Sequence, residues 1–222
     1  MPAIGITGGV ATGKSTFTQC LRELFTEGNE PGWLLQKITK ETKVTAGNIP
    51  TARFFDADAA AREIVDLPEV KQELVREFGE KIFSDTGDLN RGALRAIVFQ
   101  DAAKKRALEQ ILHPRIRRQW SALAETHRNS PDFFFADIPL LYETGGESLC
   151  KRVVVVACSR TIQLKRLLER KAIDQSQAEQ MINSQMSLEE KIRRADHVVW
   201  NNGDRQGLME QAKSLAALWQ TD

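Results

Sequence analysis

Ala3-Ile4-Gly5-Ile6-Thr7-Gly8-Gly9-Val10-Ala11-Thr12-Gly13-Lys14-Ser15-Thr16 joins a short apolar run to a glycine-rich turn and then to a segment of helical spacing. Gly8 to Ser15 satisfies G-x-x-x-x-G-K-[ST], and it stands between a predicted strand, Ala3–Thr7, and a predicted helix, Lys14–Leu24, as the pattern requires. The chemistry dictates these residue types. Glycines let successive backbone N–H groups turn inward around phosphate oxygens, and the helix adds the positive end of its dipole. Lys14 then brings a mobile charge to the β- and γ-phosphates, and the Ser15 hydroxyl is a ligand for Mg²⁺. The bland alternative, a glycine-rich turn with an exposed lysine, does not account for the complete motif and both of its flanks.

Outward from this loop, further apolar runs lie at Ala52–Asp56, Phe133–Ile138, Val153–Cys158 and His197–Trp200, nearly continuous as in strands covered on both faces. They alternate with helical patterns at Ala57–Ile64, Pro68–Phe78, Arg91–Phe99, Ala102–Leu112, Pro114–Glu125, Arg160–Glu169, Gln175–Gln185, Ser187–Arg194 and Arg205–Leu218. This order predicts an α/β protein, a three-layer core around a mainly parallel five-stranded sheet. About 75 residues between the second and third strands read almost wholly as helix, more than one crossover needs. A helical lobe is therefore expected at 59–131, inserted in a nucleotide-binding core made of 1–58 and 132–222. Gly28 to Arg53, with Pro31, Gly32, Gly47 and Pro50, reads as an insert in place of a short connection, and it should emerge at the sheet edge opposite the phosphate loop.

The composition narrows the partners. The chain has 222 residues, 31 Lys+Arg against 30 Asp+Glu, a net charge of +1 and 41% hydrophobic residues. This is an ordinary globular balance, with no warrant for binding nucleic acid or a membrane surface, so an anionic ligand must meet local positive charge. Cys20, Cys150 and Cys158 are odd in number and lack CxxC spacing, which reads as free thiols in a reducing cytoplasm. No basic leader and no long apolar stretch is evident, so a cytoplasmic location is expected. A guanine-type N/T-K-x-D motif is absent. Motor-type ATPases usually need more chain and a clear hydrolytic acid, so the further constellations must choose between them and kinases.

Phe54-Phe55-Asp56-Ala57-Asp58 puts two carboxylates at the C-terminal end of a predicted strand, where open α/β sheets carry their ligands. A carboxylate there accepts the proton of a hydroxyl attacking a γ-phosphate, or else caps the following helix. In order along the chain follow Ala61-Arg62, Leu112-His113-Pro114, Pro139-Leu140-Leu141-Tyr142-Glu143, the Gln163–Arg170 helix, and Ala195-Asp196 through Asn201-Asn202-Gly203. With the phosphate loop and Asp56-Ala57-Asp58, this series resembles the dephospho-CoA kinase family from about residue 3 to 205.

The resemblance implies transfer of the ATP γ-phosphate to the ribose 3′-hydroxyl of dephospho-CoA, giving CoA and ADP, with magnesium as MgATP. It implies a P-loop kinase core, a helical CoA-binding lobe and a helical lid at about 160–194. Asp58 takes the position of the family's catalytic base, beside Lys14 and Arg166. Gly8, Gly9, Val10, Ala11, Thr12, Gly13, Lys14, Ser15 and Thr16 then bind ATP, joined by the lid cations Arg166 and Arg170 and, near the adenine, by Asn201 and Gly203. Asp56, Asp58, Arg91, His113 and Leu140 fall in acceptor-binding positions, and Asp137 resembles a strand-end acid available to Mg²⁺ through water. Each has a plainer reading: capping for Asp56, a structural histidine for His113, solvated helix arginines for Arg91, Arg166 and Arg170, and a turn for Asn201-Asn202-Gly203. Pro114 cannot continue a helix from Leu112, so a bend is expected there. A monomer or weak homo-oligomer is expected. Another small-metabolite P-loop kinase, or a regulator that binds ATP without turnover, are the alternatives.

Overall fold

A computed structural model of the chain describes residues 3–25, 51–84, 86–130, 132–171 and 173–220, without the side chains of Arg170 and Lys171. The expectations for the insert from residue 28 to 50 lie outside the described residues. The strands are β1 (Ala3–Gly8), β2 (Ala52–Asp56), β3 (Phe133–Asp137), β4 (Cys150–Ala157) and β5 (His197–Trp200). They form one all-parallel sheet in the order β2-β3-β1-β4-β5. Ile4 stands opposite Phe135 on one side of β1 and Arg152 on the other.

The apolar runs form strands because both faces are covered. Ile4 and Ile6, Phe133 and Phe135, and Val154 and Val156 pack on one face against Phe17, Cys20, Leu21 and Leu24 of α1 (Lys14–Phe25). Leu208, Ala212, Ala216 and Trp219 of the last helix, Arg205–Gln220, close the same core. Phe134, Ala136, Val153 and Val155, which alternate with the first set, are 1%, 0%, 4% and 0% exposed, so the centre of the sheet has no wet face. On that second face Gly5 is needed for space, since a Cβ there would lie 2.7 Å from Leu141 Cδ2 and 2.8 Å from Cys150 Sγ. β1 has neighbours reached by the chain in opposite directions. Its C-terminal end is therefore the topological switch point where such sheets bind ligands.

The chain divides into two compact units, Met1–Phe55 with Ala124–Asp222, and Asp56–Leu123. The second is helical: α2 (Ala57–Val65), α3 (Pro68–Phe78), α4 (Arg91–Gln100) and most of α5 (Ala102–His127). Its own core is Ile64, Val65, Val70, Leu74, Ile82 and Leu94, packed by Leu108, Ile111, Leu112 and Ile116 of α5. Asp56 and Asn90 cap α2 and α4 by accepting from Ala59 N and Ala93 N. The two helices expected at Ala102–Leu112 and Pro114–Glu125 are one, with Pro114 inside it. Beside it Arg115 steadies the turn: its guanidinium donates to Ile111 O at 2.7 Å, the carbonyl next to the one that the proline leaves without its N–H, and to Glu73 Oε1 at 2.6 Å. In the first unit the remaining helices are α6 (Arg160–Lys171), α7 (Gln175–Asn183), α8 (Leu188–Arg194) and α9 (Arg205–Gln220). Among the described residues no helix is long and apolar enough to cross a membrane.

Candidate active site

The phosphate loop leaves β1 at Gly8 and enters α1 at Lys14. Its carbonyls are held one after another by donors from outside the loop's hollow. Gly8 O accepts from Lys191 Nζ at 3.3 Å, Gly9 O from Thr12 Oγ1 at 2.9 Å, and Val10 O from Gln163 Nε2 at 2.7 Å. Thr12 O accepts from Asn201 Nδ2 at 2.8 Å and from Arg166 Nη1 at 3.3 Å. In a planar trans peptide the N–H points opposite to the C=O. Fixing these carbonyls therefore turns the N–H groups of Gly9, Val10, Ala11 and Gly13 the other way, toward one hollow at a helix N-terminus, which is an anion cradle.

The backbone that allows this is unusual at two points. Ala11 has φ 58 and Gly13 φ 90, both left-handed. A side chain at Gly13 would displace Asn201, because a Cβ would lie 1.9 Å from Asn201 Nδ2.

Lys14 pairs with Asp137 at the end of β3, and Asp137 Oδ2 also accepts from Thr18 Oγ1 at 2.8 Å. Asp137 thus reaches the lysine of the motif directly, whereas the resemblance offered this strand-end acid only to Mg²⁺ through water. Ser15 is exposed in the first turn of α1. Its hydroxyl and the Asp137 carboxylate are the hard oxygen donors that Mg²⁺ prefers. Among the described residues no group of three or more His, Cys, Asp or Glu side chains is placed to hold a metal. This donor set suits a magnesium that arrives on a triphosphate.

Lys191 and Gln163 join the site without any motif that announces them. Lys191 is 0% exposed and Gln163 2% exposed. The Lys191 ammonium donates to Pro139 O at 2.9 Å and pairs with Glu143 Oε1 at 2.9 Å, in addition to Gly8 O. Burial pushes its pKa below the ordinary lysine value, with Glu143 acting in the opposite sense. A sequence signal existed: Leu188, Lys191, Ile192 and Ala195 have the i, i+3, i+4, i+7 spacing of a buried helix face, with a cation on it. Gln163, Arg166 and Leu167 stand in the same relation on α6.

Arg166 lies on the loop and on Asn201, donating to Asn201 O at 3.0 Å. It is not merely a solvated helix arginine. The side chain of Arg170 is outside the described residues. Asn201, 7% exposed, follows β5 beside the loop, whereas Gly203 is exposed with nothing within 4 Å of a built Cβ. Leu140 is half-buried after β3, next to the buried Leu141 and Tyr142. The Oε1 of Gln185, past the end of α7, is shielded and has no hydrogen-bond partner among the described residues. Burial raises the thiols of Cys20 and Cys158 and pushes Cys150 up to about 12, so the free cysteines are not reactive thiolates.

The second unit carries Asp56, Asp58, Arg91 and His113. Asp56 caps α2, accepting from Ala59 N at 2.9 Å, so its plainer reading holds for the geometry described. Asp58 is exposed in the first turn of α2, and Arg91 is exposed at the start of α4. His113 is half-buried on α5, and burial pushes its imidazole below the ordinary value while Glu109 pulls it up.

The family model described as CoaE, dephospho-CoA kinase, matches residues 48–206. A dephospho-CoA kinase of Fusobacterium nucleatum is 33% identical over 210 residues, covering 95% of this chain and 94% of that protein. The chain belongs to the dephospho-CoA kinase family. Among further relatives, a dephospho-CoA kinase of Bacillus cereus is 34% identical over 218 residues, covering 97% of this chain and 96% of its own. The crystal structure of TT1252 from Thermus thermophilus superposes with a TM-score of 0.69 at 29% identity, covering 98% of this chain and 97% of that one. Dephospho-CoA kinase from Campylobacter jejuni shares the fold, with a TM-score of 0.66 at 23% identity over 99% and 97% of the two chains.

Proposed function

We propose that this chain transfers the γ-phosphate of ATP to the ribose 3′-hydroxyl of dephospho-CoA, giving CoA and ADP. The observation that carries the reading is the phosphate loop with its carbonyls held outward, in a chain of this family. In this reading the loop amides from Gly8 to Thr16, with Lys14, bind the triphosphate. Ser15 would hold the accompanying Mg²⁺, which when bound would offset phosphate charge. Asp58 takes the proton of the 3′-hydroxyl as its oxygen bonds to the γ-phosphorus and the bond to the ADP oxygen breaks. Asp137 holds Lys14 in place until phosphate oxygens compete for it. Arg166, with Arg170, answers the charge on the equatorial oxygens, and Asn201 and Gly203 lie toward the base.

Residues 59–131 serve as the acceptor lobe, with Asp56, Arg91, His113 and Leu140 among its contacts, and about 160–194 as the lid of a core made of 1–58 and 132–222. The enzyme works in the cytoplasm as a monomer or weak homo-oligomer. The test is purified protein with MgATP and dephospho-CoA, followed by a coupled ADP assay and by ³¹P NMR of the product. Equal ADP and a 3′-phosphomonoester are expected. Neither product at saturating substrates would sink the reading.

A further inference from the structure

We propose that Lys191 is a positioning residue for the donor phosphates, a cation that acts through the backbone of the phosphate loop and never on the phosphate itself. The inference rests on the nucleotide reading of that loop. An ammonium has three N–H donors, and here each has an acceptor: Gly8 O at 3.3 Å, Pro139 O at 2.9 Å and Glu143 Oε1 at 2.9 Å. With 0% of its side chain exposed, it has neither a free donor nor access to a ligand. It grips the carbonyl of Gly8, the hinge between β1 and the loop, and so sets the plane of the peptide whose N–H belongs to Gly9. Gly8 and Gly9 are both closely packed, since a Cβ on Gly8 would lie 2.5 Å from Val156 O and one on Gly9 2.9 Å from Gln163 Nε2.

Glu143 balances the charge, and its Oε1 also accepts from Met186 N at 3.0 Å, one residue before the Ser187 cap of α8. One ion pair, buried at Lys191 and open to solvent at Glu143, thus ties the loop's first carbonyl, the exit of β3 and the entry to α8. The position of α8 and the direction of the first loop amide become one variable.

The test uses the full chain and MgATP alone in titration calorimetry, with thermal unfolding in parallel. Lys191→Met by itself leaves Glu143 without its cation, so the deciding variant is Lys191→Met/Glu143→Leu, which leaves neither charge unpaired. The expected result is a folded variant with MgATP binding weakened about tenfold and a raised KM for ATP with the KM for dephospho-CoA unmoved; its melting temperature falls by several degrees, since Gly8 O and Pro139 O lose the ammonium's hydrogen bonds. A folded variant with a MgATP Kd within about twofold of wild type would overturn the proposal. If the double variant does not fold, Lys191→Gln, shorter and uncharged, is measured by the same two outcomes. A wild-type chain that binds MgATP but phosphorylates nothing defeats the proposed reaction and leaves this inference standing.

Discussion

Gly13→Ala is the sharpest test of how the loop is built. Two separate effects oppose the added methyl group. The backbone sits at φ 90, where an L side chain costs about 1–2 kcal/mol. The Cβ would also lie 1.9 Å from Asn201 Nδ2 and 3.2 Å from its Cγ, so the amide has to leave. Asn201 is 7% exposed and donates to Thr12 O at 2.8 Å, so moving it breaks a buried hydrogen bond worth about 1–3 kcal/mol when left unmade. The sum is about 2–5 kcal/mol, or a fall in melting temperature of roughly 4–20 °C for a chain of this size. MgATP affinity should fall with it, because Thr12 O loses a holder and the Gly13 N–H loses its direction. Scanning calorimetry reads the first quantity and titration calorimetry the second. The double variant Gly13→Ala/Asn201→Ala removes the clash but keeps the φ cost. It should be less destabilised than the sum of the two single variants by about 1–3 kcal/mol. Additive losses, or a Gly13→Ala protein melting within about 2 °C of wild type, would refute the argument.

Three further outcomes are expected. Asp58→Ala should lower kcat at least ~100-fold while leaving the MgATP Kd unchanged, and a retained kcat would remove Asp58 as the base. Burial holds the imidazole of His113 below its ordinary 6.5, so on acidification the unfolded chain takes up that proton before the folded one. This contribution to stability therefore rises with pH through the window below 6.5 and is lost as pH falls through it. His113→Gln should flatten that limb of the stability–pH curve, and an unchanged slope in denaturant titrations across the window would exclude it. Pro114→Ala restores an N–H inside α5 and should stabilise the protein by on the order of 1–3 kcal/mol, read as a raised melting temperature; a lowered one would mean that the helix is built around the proline.

The fold was legible because burial on both faces of a parallel sheet leaves a simple trace. Phe133-Phe134-Phe135-Ala136 and Val153-Val154-Val155-Val156 have no polar alternation, and their ends fall within a few residues of the strands. The strand–loop–helix motif was legible because its requirements are local: two glycines, a lysine and a hydroxyl in fixed register. Pro114 misled for an equally physical reason. A proline's effect on a helix depends on what can hold the carbonyls it leaves free; Arg115, its neighbour, reaches Ile111 O, and Glu73, which holds Arg115, stands 42 residues away in sequence. Asp56 shows the opposite case, since the strand-end position and the helix-capping position are one residue and a single sequence cannot rank them.

What the motif leaves unsaid is who holds its carbonyls. Gln163 reaches Val10 across 153 residues, Arg166 reaches Thr12 across 154, Lys191 reaches Gly8 across 183 and Asn201 reaches Thr12 across 189. No local pattern encodes these pairs: Arg166 and Asn201 stand out only through the family resemblance, and Gln163 and Lys191 only as polar residues on buried helix faces. They also arrive late in the chain, from α6, α8 and the end of β5, so the cradle is complete only when the β4–β5 half of the sheet has docked. Closing contacts of that span costs chain entropy before any of them is formed. Loop geometry and sheet assembly are therefore coupled. Damage at β5 or α8 should show as lost phosphate affinity even where Gly8 to Ser15 is untouched, and the phosphate loop detached from the rest of its sheet would keep the motif and lose the cradle.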